Sequence, residues 1–271
     1  MSNFALRTLT ALIGGPLVLG AMWLGGWAFG CLVALAAALA QVELYGMARA
    51  AGLKPFVVLG VALGAIACVA ALVGAAVVPL LLVGAVALVL APLLRAPEDR
   101  SGAALLDAAA TGWGVVYPAA LAGAFVMLRE APLPGDDAFW LTATVLVSVW
   151  VSDTCAYLVG RAVGKTPLFP RVSPNKTWEG AIGGVVGALG WVALARVLVL
   201  ADTLSWIDVA AIGLCCGVAS QLGDLAESLF KRSVGVKDSG TLLPGHGGLL
   251  DRIDAAVVAA PLVAAYVALA W

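Results

Sequence analysis

The sequence predicts an all-α, polytopic integral membrane protein with about nine transmembrane helices and a cytoplasmic N-terminus. Of its 271 residues, 63% are hydrophobic and only 11% are charged, whereas soluble domains carry roughly 25% charged residues. Several apolar runs also approach the roughly 20 residues that one membrane crossing requires. The net charge is −1, so the chain lacks the excess of positive charge that is typical of nucleic-acid-binding proteins. A nucleic-acid partner is therefore not expected.

The predicted helices are the apolar runs that lie between polar, glycine-containing or proline-containing breaks. They cover about residues 8–24, 27–46, 56–74, 76–94, 104–128, 138–160, 176–200, 205–230 and 250–270. The first run is expected to stay in the protein rather than be cleaved as a signal peptide, because apolar sequence continues beyond it to about residue 44.

Positive charge sets the expected orientation of these helices. When the loops alternate across the bilayer, all but two of the 15 lysines and arginines fall on one side, and only Arg129 and Arg196 fall on or towards the other. Lysine and arginine accumulate on the cytoplasmic side of membrane proteins. The N-terminus and the long charged loops are therefore expected in the cytoplasm, and Trp271 outside.

The chain changes character near residue 138. Residues 1–137 are expected to form a scaffold of transmembrane helices, which could also carry dimer contacts. Residues 138–271 contain acids at helix ends and the two long basic loops, so the catalytic transmembrane helices are expected there. The five cysteines lie in apolar runs without a C-x-x-C spacing and are expected to be core residues.

One charged stripe is predicted on the eighth helix. Asp224, Glu227, Ser228 and Lys231 follow at i, i+3, i+4 and i+7, so they share one helix face. A carboxylate within an apolar run is costly and needs a partner or water. The simpler interpretation is an ion pair between Lys231 and either Asp224 or Glu227 that only fixes helix packing. The neighbouring motif favours a functional role instead.

Two acids open the ninth predicted helix. Asp251 and Asp254 lie three residues apart, and one acid would be enough to cap free N–H groups at a helix start. The second acid indicates a divalent ion, since Mg²⁺ takes hard oxygen ligands, usually one or two carboxylates with phosphate and water. Asp224 and Asp251 would then supply ligands from two helices.

A glycine-rich stretch precedes these acids at residues 245–248. It allows the backbone to approach a phosphate closely and point N–H groups at it, although a plain turn between helices would also use it. His246 could act as a general acid, as a donor to phosphate or only as a structural hydrogen-bonding group. It is the only histidine, which excludes a histidine-based zinc site.

A second loop carries the sequence SPNKTWEG. Ser173 is predicted to cap the seventh helix with Pro174 as its first residue, which puts Lys176 and Thr177 in a first turn that favours anions. A nearby glycine pattern at residues 160–166 is one residue too short for a P-loop and follows a membrane helix. A Walker-type ATPase is therefore excluded.

Together these patterns resemble the motifs of the phosphatidate cytidylyltransferases, or CDP-diacylglycerol synthases. Residues 228–254 contain Ser-x-x-Lys-Arg, Lys-Asp, Pro-x-His-Gly-Gly and Asp-Arg-x-Asp in the order of that family's long motif. Residues 173–180 resemble its Ser-Pro-x-Lys-Thr-x-Glu-Gly motif, and residues 153–160 its Asp-x-x-Ala-Tyr-x-x-Gly stretch. The resemblance is specific in the C-terminal half. The N-terminal half matches only as a run of membrane helices.

The resemblance implies the reaction of CTP with phosphatidate to give CDP-diacylglycerol and pyrophosphate in phospholipid biosynthesis. It also implies Mg²⁺, a second cation such as K⁺ near the same acids, a homodimer, and an active site facing the cytoplasm from the bacterial inner membrane. The expected catalytic residues are Asp224, Lys231 and Asp251, and the expected metal ligands are Asp224, Asp251 and Asp254. The expected substrate-binding residues are Ser173, Lys176, Thr177, Ser228, Arg232, Lys237, Asp238, His246, Gly247, Gly248 and Arg252.

Two other functions fit part of the pattern. A transporter would also place Asp153, Asp224 and Lys231 near the membrane, but it would carry its acids closer to the midplane. A CTP-dependent lipid kinase, or a cytidylyltransferase for an isoprenoid lipid phosphate, would share the nucleotide site. The choice of lipid depends on apolar grooves that the sequence leaves open.

Overall fold

The structure is a computed structural model that describes residues 3–74, 77–94, 102–242 and 247–271, and these residues are mostly helical. The helices are α1 Asn3–Leu24, α2 Gly26–Ala50, α3 Val57–Cys68, α4 Ala70–Val73, α5 Val77–Leu90, α6 Ala103–Gly114, α7 Gly123–Arg129, α8 Asp137–Val163, α9 Trp178–Val199, α10 Trp206–Leu214, α11 Ser220–Ser233 and α12 Leu250–Ala270. A short antiparallel hairpin, β1 Pro167–Phe169 and β2 Ser173–Thr177, lies between α8 and α9.

The apolar runs predicted from the sequence coincide with these helices, and the all-α membrane fold is confirmed in that coarse sense. Within the described ranges, six helices are long and apolar enough to cross a membrane. They are Gly26–Ala50, Ala103–Arg129, Asp137–Val163, Trp178–Val199, Trp206–Ser233 and Leu250–Ala270. Three further apolar helices, Leu12–Leu24, Val57–Cys68 and Val78–Leu94, are shorter.

Two of the long helices contain a wider, π-type turn. In Ala103–Arg129 it covers Val115–Ala120 and includes Pro118, which cannot donate a backbone hydrogen bond to the preceding turn. In Trp206–Ser233 it covers Cys215–Ala219 and separates α10 from α11. Such turns often occur near functional sites, and the second immediately precedes the charged stripe of α11.

The predicted start of the seventh helix is wrong. Ser173 begins β2 instead of capping a helix, and Pro174 fits there because a strand of a two-stranded hairpin has an edge that needs no N–H donor. Thr177 caps α9 from an extended backbone conformation, and its hydroxyl accepts a hydrogen bond from the Gly180 N–H at 3.2 Å. Lys176 therefore lies in a strand before the helix and not in its first turn.

The chain divides into two compact units. Unit 1 contains Met1–Val126 and Ser233–Arg252, and unit 2 contains Met127–Arg232 and Ile253–Trp271. The predicted division near residue 138 concerns where the chemistry lies rather than which residues pack together, and it stays a prediction.

Unit 1 is held by buried polar side chains between its helices. The Tyr45 hydroxyl on α2 donates to the Thr111 carbonyl on α6 at 2.9 Å, and the Gln41 amide donates to the Gly60 carbonyl on α3 at 2.9 Å. The Thr111 hydroxyl in turn accepts from the Phe56 N–H at 2.8 Å. Each bond satisfies a polar group inside an apolar unit, so the three helices are fixed in register as well as held together.

Unit 2 is built around a close crossing of α8 and α9. A Cβ atom on Gly180 would lie 2.7 Å from the Ala156 carbonyl oxygen and 3.1 Å from the Gly160 Cα. Only glycine allows the two backbones to approach this closely, as is common for helices in membranes. The crossing fixes the end of α9 that follows Lys176 and Thr177.

Candidate active site

The charged stripe of α11 forms as predicted, and it lies within unit 2. The Asp224 carboxylate accepts a hydrogen bond from the Ser228 hydroxyl at 3.3 Å, one helical turn away. The Lys231 ammonium lies 2.6 Å from the Glu227 carboxylate, and the Glu227 side chain is fully buried. Helical spacing alone produces both contacts, since residues four apart share one face.

Lys176 reaches this stripe from the hairpin. Its ammonium lies 2.6 Å from the Asp224 carboxylate, and both side chains are partly exposed. The sequence suggested Asp224 or Glu227 as partner for Lys231; the structure pairs Lys231 with Glu227 and gives Asp224 a cation from β2. The two substrate-binding predictions Lys176 and Ser228 thus meet at the same carboxylate.

Asp254 on α12 joins the same acidic group. Its side chain is buried, and the negative charges of Asp224 and Glu227 both act on it. Gly223 makes the approach possible, because a Cβ there would lie 2.7 Å from the Asp254 carbonyl oxygen. Three acids therefore lie close together, and this concentration of carboxylates favours a bound cation.

The acids of this group resemble a partial metal site rather than a complete one. Within the described part of the chain, no group of three or more His, Cys, Asp or Glu side chains has the arrangement of a complete metal site. Mg²⁺ does not require one, since it is usually held by one or two carboxylates together with substrate phosphates and water. The hard oxygens of the partly exposed Asp224 and the buried Asp254 fit such a partial site.

Asp251 lies in the first turn of α12, as predicted, and belongs to unit 1. Its carboxylate accepts hydrogen bonds from the N–H groups of Ser239 and Gly248, each at 3.0 Å. Gly247 adopts a φ of 84°, which glycine reaches without strain. The Gly248 N–H, expected to face a ligand, is thus already engaged by Asp251.

Glu43 is a site residue that the sequence reasoning missed. From α2 it accepts hydrogen bonds from the N–H groups of Leu249 at 3.0 Å and Leu250 at 2.8 Å, and from the Ser239 hydroxyl at 3.2 Å. It caps the start of α12 from another helix, in the role that a residue just before the helix usually fills. The available signal was an acid within an apolar membrane run.

Glu179, part of the SPNKTWEG loop, holds the hairpin against α9. Its carboxylate accepts from the N–H groups of Lys165 and Thr166 and from the Thr166 hydroxyl, the last at 2.9 Å. Nearby on α8, Arg161 donates to the Tyr157 hydroxyl at 3.1 Å. The loop that carries Lys176 is therefore ordered by its own acid.

The remaining predicted residues have the following positions. Ser173 is half-buried in β2, and the Thr177 hydroxyl is used as the cap of α9. Among the others, the exposed side chains are Arg232, Lys237, Asp238 and Arg252. His246 lies outside the described residues. The grouping of these residues in one site stays a prediction.

Comparison with known proteins identifies the family. The model of the cytidylyltransferase family matches residues 5–270. The chain belongs to the cytidylyltransferase family. It is 38% identical over 281 residues to a phosphatidate cytidylyltransferase of Brucella suis biovar 1 (strain 1330), covering 97% of this chain and 93% of the relative. It is 36% identical over 293 residues to one of Synechocystis sp., covering 97% and 96%.

A third relative matches over a shorter region. This phosphatidate cytidylyltransferase of Haemophilus influenzae is 44% identical over 128 residues, which is 45% of this chain and 43% of the relative. The matches to the first two relatives extend over nearly the whole length of this cytidylyltransferase-family chain. The similarity to the family therefore covers the predicted scaffold helices as well as the charged motif.

Glu43→Ala is expected to destabilise the start of α12. The N–H groups of Leu249 and Leu250 would lose their acceptor, and a buried donor left without a partner costs about 1–3 kcal/mol. Glu43→Gln keeps one carbonyl oxygen and should lose less. Thermal unfolding of the detergent-solubilised protein measures the difference. Val42→Ala, at an exposed neighbour on α2, is the control, and a Glu43→Ala protein as stable as this control would contradict the capping role.

Proposed function

We propose that this chain is a phosphatidate cytidylyltransferase, which forms CDP-diacylglycerol and pyrophosphate from CTP and phosphatidate. The observation that carries the proposal is the similarity, over 97% of the chain, to relatives that bear this name. The charged cluster of unit 2 supports it, because lysines and hard carboxylate oxygens suit two highly anionic substrates.

The reaction needs alignment and charge neutralisation more than acid–base chemistry. An oxygen of the phosphatidate phosphate forms a bond to the α-phosphorus of CTP, and the bond from that phosphorus to the bridging oxygen of pyrophosphate breaks. The attacking phosphate is ionised near neutral pH, so no strong base is required. Lys176 and Lys231, with the exposed Arg232, Lys237 and Arg252, would bind the phosphates of the two substrates and hold them in line.

The pairing of Lys176 with Asp224 suggests how substrate binding prepares the site. A phosphate that binds the Lys176 ammonium competes with the carboxylate 2.6 Å away. When the lysine turns to the phosphate, the Asp224 carboxylate is released. Two functional groups that neutralise each other thereby become available together, one for the anion and one for a cation.

The proposal includes Mg²⁺ held by Asp224, Asp251 and Asp254 together with substrate phosphates. When bound, Mg²⁺ offsets the charge of the reacting phosphates and polarises them. The crowding of Asp254 by Asp224 and Glu227 favours a cation in this neighbourhood. A second cation such as K⁺ rests on the family resemblance alone.

The proposal also covers the arrangement of the chain in the membrane. Nine crossings, with the N-terminus and the active site in the cytoplasm, would agree with the distribution of lysine and arginine along the sequence. The bacterial inner membrane is the proposed location. The homodimer, like the second cation, is inferred from the resemblance.

The function is tested by incubating the purified protein in detergent with labelled CTP, Mg²⁺ and phosphatidate, with other lipid phosphates as competitors. We expect a CMP-labelled lipid that requires phosphatidate, is lost with EDTA and returns when Mg²⁺ is added in excess. A lipid that receives only a phosphate would indicate a kinase. Absence of any labelled lipid, together with ion flux in liposomes, would indicate a transporter.

The acids are tested by Asp224→Asn and Asp251→Asn. Asparagine keeps the size and one oxygen but removes the charge, so each variant should lose most activity while remaining folded. If both serve one ion, the double variant should be hardly worse than either single variant. Activity and thermal unfolding are measured on all three. Asp136→Asn, an exposed acid before α8, is the control, and a stable, active Asp224→Asn enzyme would refute the metal assignment.

Lys176→Ala is expected to lower kcat/KM at least about tenfold, which corresponds to about 1.4 kcal/mol of transition-state stabilisation. The reason is the loss of one phosphate-binding cation next to Asp224. Steady-state kinetics in both substrates measure the effect, and thermal unfolding shows whether the variant is folded. Near-normal kinetics in a folded variant would reduce Lys176 to a structural partner of Asp224.

A further inference from the structure

An open pocket, called the cavity below, lies in unit 2 at the other end of α9 from Lys176 and Thr177. It has a volume of about 620 Å³ and is lined by the end of α9, the loop from α9 to α10, the start of α10 and the end of α12. Helix α9 has 22 residues between its start, beside Lys176 and Thr177, and its end, beside Arg196. At 1.5 Å per residue the helix is about 33 Å long, roughly the thickness of a bilayer. The cavity therefore lies at the opposite membrane face.

Arg196 is held in place within this cavity. Its Nε donates to the Leu204 carbonyl at 2.7 Å, and its guanidinium carbon lies 4.5 Å from the centre of the Trp206 ring. These contacts fix the plane of the guanidinium group. Within the described part of the chain, no carboxylate forms an ion pair with Arg196. Its two terminal nitrogens are thus available to a ligand.

The two acids of the cavity differ in their surroundings. Asp208 is buried and accepts from the Ser205 N–H and the Tyr266 hydroxyl, both at 2.6 Å, and from the Trp271 indole at 3.1 Å. Asp208 therefore holds the wall of the cavity together. Asp202 is exposed and has no hydrogen bond or ion pair among the described residues. One cation and one anion thus line the same space without neutralising each other.

Apolar groups border this charged pair. Trp206 and Ile207 are 60% and 76% exposed at the start of α10, in a protein whose helices cross a membrane. Tryptophan accumulates at membrane interfaces, where lipid headgroups meet the acyl chains. A ligand in this position would have its charged part in the cavity and its chains against these side chains.

We propose that this cavity binds the headgroup of a zwitterionic phospholipid from the leaflet opposite the candidate active site. Arg196 binds the phosphodiester through its two terminal nitrogens, and Asp202 binds the ammonium group of a phosphoethanolamine headgroup. Guanidinium and phosphate form paired hydrogen bonds of this kind, and a carboxylate is the natural partner of a primary ammonium. The proposal does not depend on the reaction catalysed at the other face.

The test uses the full-length protein, delipidated in detergent and titrated with short-chain phosphatidylethanolamine, phosphatidylglycerol or inorganic phosphate. Thermal stabilisation and lipid retention in native mass spectrometry are measured. We expect saturable binding of phosphatidylethanolamine, weaker binding of phosphatidylglycerol and none of inorganic phosphate. Arg196→Gln should weaken the binding of both lipids at least about tenfold. Asp202→Asn should lower the preference for phosphatidylethanolamine over phosphatidylglycerol by about the same factor.

The controls separate a specific site from general charge. Asp202 makes no hydrogen bond or ion pair among the described residues, so its variant should fold normally. The change in preference between two lipids is also independent of folding. Arg196→Lys keeps the charge if Arg196→Gln is unstable, and should bind more weakly through the loss of paired hydrogen bonds. Arg129→Gln, at the end of α7, should bind as the wild type does. An unchanged lipid preference in Asp202→Asn, or equal stabilisation by inorganic phosphate, would overturn the proposal.

Discussion

The buried ion pair between Glu227 and Lys231 is the interaction on which the arrangement of acids in unit 2 depends. Glu227 is fully enclosed, and its lysine comes from the next turn of the same helix at 2.6 Å. Removing one partner of such a pair leaves a buried charge and costs about 3–5 kcal/mol. One turn earlier on the same helix, Asp224 contacts Lys176 from β2, and Asp254 of α12 lies beside both acids.

The need of a buried acid for hydrogen-bond donors also explains the positions of other acids in the chain. An acid in an apolar helix needs donors, and the free N–H groups at helix starts and in loops need acceptors. Glu43 satisfies the start of α12, Glu179 holds the hairpin before α9, and Asp208 satisfies the start of α10. Each pairing meets two requirements at once and fixes a loop that borders a proposed site.

The two ends of unit 2 illustrate two uses of charge at a membrane surface. At one end, Lys176 and Asp224 neutralise each other at 2.6 Å, and an anionic substrate would have to separate them. At the other end, Arg196 is oriented by Leu204 and Trp206 and keeps its terminal nitrogens available. The first arrangement suits a reaction site that changes on binding. The second suits a permanent binding site, since nothing must be displaced before the ligand enters.

The sequence by itself determined the helical membrane architecture, because the length and composition of an apolar run are local properties. It also determined the family, since the order of charged and glycine residues at 228–254 is specific. Local reasoning misplaced the cap of α9: Ser173–Pro174 looks like a helix start, and only pairing with β1 makes it a strand. Tertiary structure alone decided that Glu43 caps α12 and that Lys176 pairs with Asp224. These contacts join residues far apart in the chain, so they depend on how helices pack and not on any pattern within a single segment.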